Sequence, residues 1–296
     1  MRRTAVVATI LAGGLALAGC GSNSLGGTNK HANVKAGVDK AAAAMVPAAV
    51  KKKGTLVVGT DASYAPSEIF AGNGKTIVGF DIDLFKAVAK TLGLKAQFQN
   101  ANFGSIISGV TSGKFDIGVS SFSVTASREK QATMVTYYNA GTLWAVAKGN
   151  PKKINTLKPC GINVAVQSNT TQSLEQLPPL AKACAKAGKP THVDSYDRQD
   201  QATAAVISGK DDGMLADSPV IADAVKHSKG KLEPAGKIFD SAPYGYVLPK
   251  KETKLGSAIV AALKHLRGNG DYLKILKSWG VQQGAISSFT VNPPAH

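Results

Sequence analysis

SGKFDIGVSSFSVTASR, residues 112–128, closes a helix-like stretch, passes through a short apolar-leaning strand and then sets out five Ser or Thr hydroxyls and one arginine. A second stretch, SGKDDGMLAD at 208–217, has the same form: a helix ending, a basic residue, an aspartate and an apolar-leaning strand. Laid over each other, the two put Ser121 and Asp217 at one position. Both fall just past the carboxyl end of a strand, where open α/β sheets place their ligands. The echo predicts two lobes built alike that face each other across a cleft. Its competitor is a chance match, because SGK is a common helix ending.

Around these stretches, from Thr55 onward, short apolar runs alternate with amphipathic segments, which predicts α/β layers and not a helical bundle or a sandwich. TLVVG reads as a strand. FDIDLFKAVAKTLG reads as a helix with acidic residues in its first turn, Ile82, Phe85, Val88 or Ala89, and Leu92 on one face, and Gly93 as its stop. KAQFQ, FGSIISGVTSG and FDIGV follow as strand, helix and strand.

The amino terminus sets the compartment. Arg2 and Arg3 precede an apolar run from Ala5 to Leu17 that stops at LAGC, the pattern of a secretory signal over residues 1–19. The run is too short for a mature membrane span, which needs about 20 residues. LAGC resembles the bacterial lipobox, in which cleavage leaves Cys20 as a lipid-bearing first residue; the alternative is an ordinary cut near Ala16 or Ala18. Residues 20–50 then read as a lipidated, flexible tether, with AAAAMVPAAV forming a short helix limited by Pro47. Such an anchor holds the protein on the outer face of the cell membrane.

A formal net charge of +16 comes from 35 basic and 19 acidic residues. The lysines are spread over helix faces and loops, as in KHSKGK, without aromatic interleaving, so the charge argues against nucleic acid as partner. With Cys20 assigned to lipid, Cys160 and Cys184 are most simply a disulfide in an exported domain. No metal or cofactor is expected, since His31, His192, His227, His265 and His296 show no ligand spacing.

GTDASYAP at 59–66, VGFDIDL, SGKFDIGVSSFSVTASREK, QSNTTQ and MLADSP stand in this order along residues 51–284. Together they resemble the bacterial extracellular solute-binding proteins of family 3, the polar amino-acid receptors of ABC importers. The resemblance implies a two-lobed, periplasmic-binding-protein-like (type II) α/β fold, each lobe a sheet flanked by helices. Lobe 1 would be discontinuous (51–147 plus 244–284) and lobe 2 would span 148–243, with residues 285–296 as a tail. The crossovers would lie near Ala145 to Lys148 and near Pro243 to Tyr246. A monomer would capture a free amino acid and deliver it to a membrane permease.

Residue chemistry agrees with the resemblance. A free amino acid needs a cation and an anion held at matching distance. Arg128 offers a planar fork for the carboxylate, helped by the backbone N–H of Thr171 at a helix start. Asp217 suits the ammonium, beside the Ser121 carbonyl and the Ser123 hydroxyl. The family resemblance adds Ser120, Phe122, Gln167, Asn169 and Thr170 to the lining, and Asp61, Tyr64 and Phe103 to the side-chain pocket. Ser67 stands where the family often has an aromatic. Asp61 disfavours an acidic ligand and suits a cationic or amide one. Bland readings exist: Arg128 as a surface pair of Glu129, and Asp217 as the cap of SPVIADAVK. Two other functions compete, an amino-acid sensing module and a dehydratase-type enzyme on the same scaffold.

Overall fold

The computed structural model describes residues 34 and 36–294. The expected signal at 1–19 and the lipidation site Cys20 lie outside these described residues. Two short helices, α1 (Lys40–Met45) and α2 (Ala48–Lys53), part at Pro47. Asp39 caps α1 by accepting from the Ala42 N–H at 2.7 Å and pairs with His265 at 3.1 Å. Ala36, Ala42 and Val46 are buried in the main core. The tether expected through residue 50 is therefore packed structure from Ala36 on, because these small apolar side chains gain more by burial than by hydration.

A first parallel unit begins at β1 (Thr55–Thr60). A small antiparallel sheet of β2 (Ser63–Tyr64), β3 (Glu68–Phe70) and β4 (Ile77–Val78) leads to α3 (Phe80–Thr91), β5 (Lys95–Asn100), α4 (Phe103–Thr111) and β6 (Ile117–Gly118). β1 lies between β5 and β6 and runs parallel to both. The chain turns after α3 at Gly93, in the left-handed region at φ 71°, where glycine has no side chain to clash. Phe85, Val88, Ala89 and Leu92 enter the main core, while Ile82 packs with Ala62 and Ile77 in a satellite cluster. The buried face of α3 is thus wider than one stripe.

After α5 (Ala126–Gln131) and the long β7 (Thr133–Ala147), a second unit repeats the first: β8 (Asn163–Gln167), α6 (Leu177–Lys186), β9 (His192–Tyr196), α7 (Gln199–Ser208) and β10 (Gly213–Asp217). β8 lies between β9 and β10, again parallel to both. The SGK echo thus marks the same corner of two like units, from α4 into β6 and from α7 into β10. α8 (Ser218–His227), the long β11 (Leu232–Leu248), α9 (Thr253–Gly268) and α10 (Asp271–Ser278) complete the chain order.

β7 and β11 pair antiparallel and join both units into one eight-stranded sheet, β5-β1-β6-β11-β7-β10-β8-β9. β7 serves the first half up to Ala140, opposite Ala242, and the second from Thr142, where it pairs with Asp217 of β10. The register with β11 slips between Phe239 and Ala242. The passage between halves therefore falls at 140–142 and 239–242, some residues before the crossovers read from the sequence. Ala145, expected at the first crossover, is already paired with Met214 in the second half.

Residues 285–294 are not a loose tail. Phe289 is buried, Thr136 N–H donates to Thr290 O at 3.0 Å, and Asn292 N–H donates to Met134 O at 2.8 Å. They cover the edge of β7 that β10 does not reach, and an uncovered edge there would leave backbone groups unpaired. Cys160 and Cys184 form a disulfide that ties the loop before β8 to α6. Closing such a loop stabilises by roughly 3 kcal/mol in the chain-entropy account.

Gly79 sets the entry to α3. Its φ is 149°, and a Cβ there would lie 1.8 Å from the Ser67 carbonyl oxygen. Gly79→Ala is expected to cost about 3 kcal/mol or more, measured as a fall in urea midpoint; an unchanged midpoint would show that this backbone can move apart freely.

Candidate functional site

The carboxyl ends of β1, β6, β8 and β10 converge, and the loops beyond them carry the polar residues singled out in the sequence. Past β6, Ser121 sits in the left-handed region at φ 49°. It is held there by its N–H and Oγ, which donate to Asp81 Oδ2 at 2.9 and 3.2 Å. Tyr137 donates to the same oxygen at 2.6 Å. Ser120 Oγ accepts from the Asp61 N–H at 3.0 Å and donates to Glu68 Oε1 at 3.0 Å.

Arg128 lies on α5, whose start is capped by Thr125 Oγ1 accepting from the Arg128 N–H at 3.3 Å. Its guanidinium donates through Nη1 to Ser123 O at 2.9 Å and through Nη2 to Asn169 O at 3.3 Å. The guanidinium carbon lies 5.5 Å from the Phe103 ring centre and 5.4 Å from that of Phe122, and these two rings stack at 4.6 Å. Burial lowers the Arg128 pKa, opposed first by the charge of Asp217. Arg128 is therefore not a surface partner of Glu129. Two fixed acceptors and a two-ring seat leave further N–H donors of the fork for a ligand.

Asp217 ends β10 on the opposite half. Its side chain makes no cap bond to α8. Its Oδ2 instead accepts from Tyr64 at 2.8 Å and Tyr244 at 2.7 Å, and its Oδ1 accepts from Gln172 Nε2 at 2.8 Å. Burial raises its pKa, opposed by the bonds from Tyr244, Tyr64 and Gln172 and by the charge of Arg128. Burial and the Asp217 charge together hold the Tyr64 and Tyr244 hydroxyls well above their ordinary pKa. They therefore remain neutral donors.

Between these elements lies a small cavity of about 10 Å³, room for about one water. Nine residues named from the sequence line it: Tyr64, Phe103, Ser120, Ser121, Ser123, Arg128, Thr170, Thr171 and Asp217. Four others stand behind the lining. Phe122 is the second ring under Arg128, and Asn169 supplies the carbonyl that meets it. Asp61 Oδ1 accepts from Ser63, and its Oδ2 accepts from the Phe103 N–H at 3.2 Å and from Gln167 Nε2 at 2.8 Å. The Asp61–Gln167 bond, the Tyr64–Asp217 bond and a bond from the Gln199 N–H to Ser63 Oγ at 3.2 Å span the two halves. The halves are thus held together around the cavity.

Sequence reasoning missed Gln172, which lines the cavity and opens a π-helical turn, Gln172–Gln176. It also missed Tyr244, and the Glu68, Asp81 and Tyr137 cluster under Ser120 and Ser121. Gln172 is the last letter of QSNTTQ, so its signal was present; Asp81 read only as a first-turn acid of the helix FDIDLFKAVAKTLG, and Tyr244 only as part of a crossover. Among the described residues no group of three or more His, Cys, Asp or Glu is placed to hold a metal ion, and no helix is long and apolar enough to cross a membrane.

Two like α/β halves with one small, charge-lined cavity between their strand ends define a protein that captures a small polar solute. Residues 56–282 match the bacterial extracellular solute-binding proteins, family 3, and the chain belongs to that family. Its place is therefore extracytoplasmic. It is 34% identical over 250 residues to the arginine-binding protein ArgT of Corynebacterium glutamicum, covering 84% of this chain and 82% of that one. An ancestral arginine-binding protein bound to arginine superposes with a TM-score of 0.71 at 33% identity, over 77% of this chain and 98% of that one. An ancestral amino acid-binding protein described as a precursor of cyclohexadienyl dehydratase superposes with a TM-score of 0.67 at 33% identity, over 78% and 97%.

Gln172 carries a consequence for folding. Its Nε2 is shared by Asp217 Oδ1 and Thr142 Oγ1, at 2.8 and 2.9 Å. Gln172→Leu leaves buried acceptors without a donor and is expected to cost about 1–3 kcal/mol in urea unfolding; an unchanged midpoint would mean that water replaces the amide.

Proposed function

We propose that the protein captures a free amino acid with a cationic side chain, arginine foremost, and hands it to the permease of an ABC importer. The observation that carries this reading is that Arg128 and Asp217 are buried on one cavity yet belong to different halves. The ligand carboxylate meets the open side of the Arg128 fork and the backbone at Thr171, where the π-helical turn begins. The ammonium meets Asp217, beside the Ser121 carbonyl and the Ser123 hydroxyl. A bound amino acid thus bridges the halves and favours the closed arrangement.

Charge balance supports the side-chain class. The two ends of the amino acid offset Arg128 and Asp217. Asp61, Glu68 and Asp81 remain on the first half, all buried, with Arg198 acting on Asp61. Surplus negative charge behind the lining favours a cation over an amide and excludes an acid. The arginine-binding relatives agree with this reading.

The halves are lobes that hinge where β7 and β11 change partners, at 140–142 and 239–242. The first lobe comprises residues 36–139 plus 243–294, and the second comprises 143–238. The protein works as a monomer that binds without chemistry. Ser120, Ser121 and Ser123 have no histidine as partner: the described histidines, His192, His227 and His265, sit beside Asp194, Asp223 and Asp39, and Ser120 and Ser121 donate instead to the buried Glu68 and Asp81. Lipid on Cys20 holds the protein to the outer face of the membrane, as LAGC supports.

Calorimetric titration with the twenty amino acids is expected to give arginine the tightest binding, with the ligand recovered unchanged; preference for an acidic amino acid would overturn the assignment. Arg128→Ala is expected to weaken binding by about 2–5 kcal/mol, because it strips the ligand carboxylate of its buried partner. Equal affinity in that variant would sink the clamp. Cys20→Ala is expected to move the protein from the membrane to the soluble fraction on cell fractionation, and retention on the membrane would exclude the lipid anchor.

A further inference from the structure

Directly beneath the cavity lie two carboxylates that ligand capture as described does not use. Glu68 and Asp81 are both fully buried, at 0% exposure. Each turns one oxygen toward a serine of the lining: Glu68 Oε1 accepts from Ser120 Oγ at 3.0 Å, and Asp81 Oδ2 accepts from the Ser121 N–H at 2.9 Å. Their other oxygens, Glu68 Oε2 and Asp81 Oδ1, have no N–H or hydroxyl partner. The two residues are neighbours in space, the Asp81 N–H donating to the carbonyl of Ser67 at 3.2 Å, and the charge of each carboxyl bears on the other. Two buried carboxylate oxygens without a donor are costly when both groups are ionised, and a proton on one of them relieves that cost.

We propose that Glu68 and Asp81 hold one proton between them in the unliganded protein, and that a cationic side chain entering the cavity expels it to solvent. The inference rests on the reading of the cavity as a site for a cationic amino acid. From the surrounding elements the pair is faced by Asp61 past β1, Tyr64 on β2, Tyr137 on β7 and Tyr246 on β11. The tyrosines are held well above their ordinary pKa by burial, so they stay neutral. Asp61 adds negative charge and disfavours a second ionisation of the pair.

The same environment sets the direction of titration. Burial, then the charge of Asp81, pushes Glu68 well above the usual carboxylate range, and burial pushes Asp81 up to about 6. Near neutral pH the pair therefore carries one proton and one negative charge, and the proton belongs to the pair. The α-ammonium beside Ser121 is common to every amino acid. A cationic side chain at Ser120, whose Oγ donates to Glu68, adds a charge that stabilises the doubly ionised pair, so the proton leaves. A neutral amide gives no such bias. By linkage, arginine affinity rises with pH, by up to about tenfold per pH unit where a whole proton is released, while glutamine affinity stays flat.

The test is calorimetric titration of the intact protein with arginine and with glutamine at neutral pH, in phosphate and in Tris, whose ionisation heats differ. Arginine binding is expected to release up to about one proton and glutamine none. Glu68→Gln is expected to abolish the release whatever its affinity. An infrared band of a protonated carboxyl is expected in the unliganded protein, lost in Glu68→Gln. Tight arginine binding with the same heat in both buffers overturns the coupling and leaves the proposed ligand class standing. Failure of arginine to bind overturns that class and the coupling with it. Absence of the infrared band overturns the shared proton without reference to any ligand.

Discussion

Arg128 and Asp217 are charges taken out of water, and the architecture around them follows from the cost of keeping them there. A buried ion without partners costs several kcal/mol even after relaxation. Each is therefore partnered before any ligand arrives. Arg128 has two carbonyls and two aromatic faces, and Asp217 has two phenols and an amide. These partners come from β2, the start of α4, the loop after β6, the turn after β8, and β11. No single element could supply them, so the site exists only where several strand ends meet.

That requirement explains the doubled fold. Each three-stranded parallel unit gathers its carboxyl ends at one edge, and two such units set edge to edge give two converging groups of loops. β7 and β11 run through both and keep the edges in register. Where they pass from one half to the other, small residues predominate: Ala140 and Gly141 on β7, and Ser241 and Ala242 on β11. At Gly141 a Cβ would stand 2.5 Å from Ile238 and 2.6 Å from Ser241 Oγ, so the strands cross there at close approach. The polar bonds that span the halves lie on the cavity side of this passage, where a ligand would add to them.

Much of this was legible in the sequence, for identifiable reasons. α3 announces itself by its acidic first turn and glycine stop, and the repeated SGK corner marks strand ends whose function depends on position. The change of partners at 140–142 has no signal of its own in the sequence, because β7 is a nearly continuous apolar strand and periodicity carries no sign of where one strand changes partners. Residues 36–50 read as part of a tether and 285–294 as part of a tail because neither is long enough to show a buried face by itself. Their burial depends on α9 and on a bare strand edge that only the assembled sheet creates. Asp61 read as a ligand contact because it resembles a family position that lines the side-chain pocket. Its role as a bridge to Gln167 required the second half to be in place.

The acids beneath the cavity extend the argument from holding charge to selecting it. A site with equal numbers of buried cations and anions would accept any side chain that fits. Here the first half keeps Asp61, Glu68 and Asp81 behind the cavity lining, bonded to Phe103, Ser120 and Ser121, while the cation acting on Asp61 is the partly exposed Arg198, itself bound to Asp200 at 2.6 Å. Leaving three carboxylates ionised and unpaired would strain the fold, and a shared proton removes that strain when no cation is bound. A cation that takes the proton's place then gains an anion already desolvated and positioned, so reorganisation on binding is small. Discrimination between cationic and neutral side chains would then come from the exchange of one positive charge for another, with Ser120 and Ser121 as the contact through which it is felt.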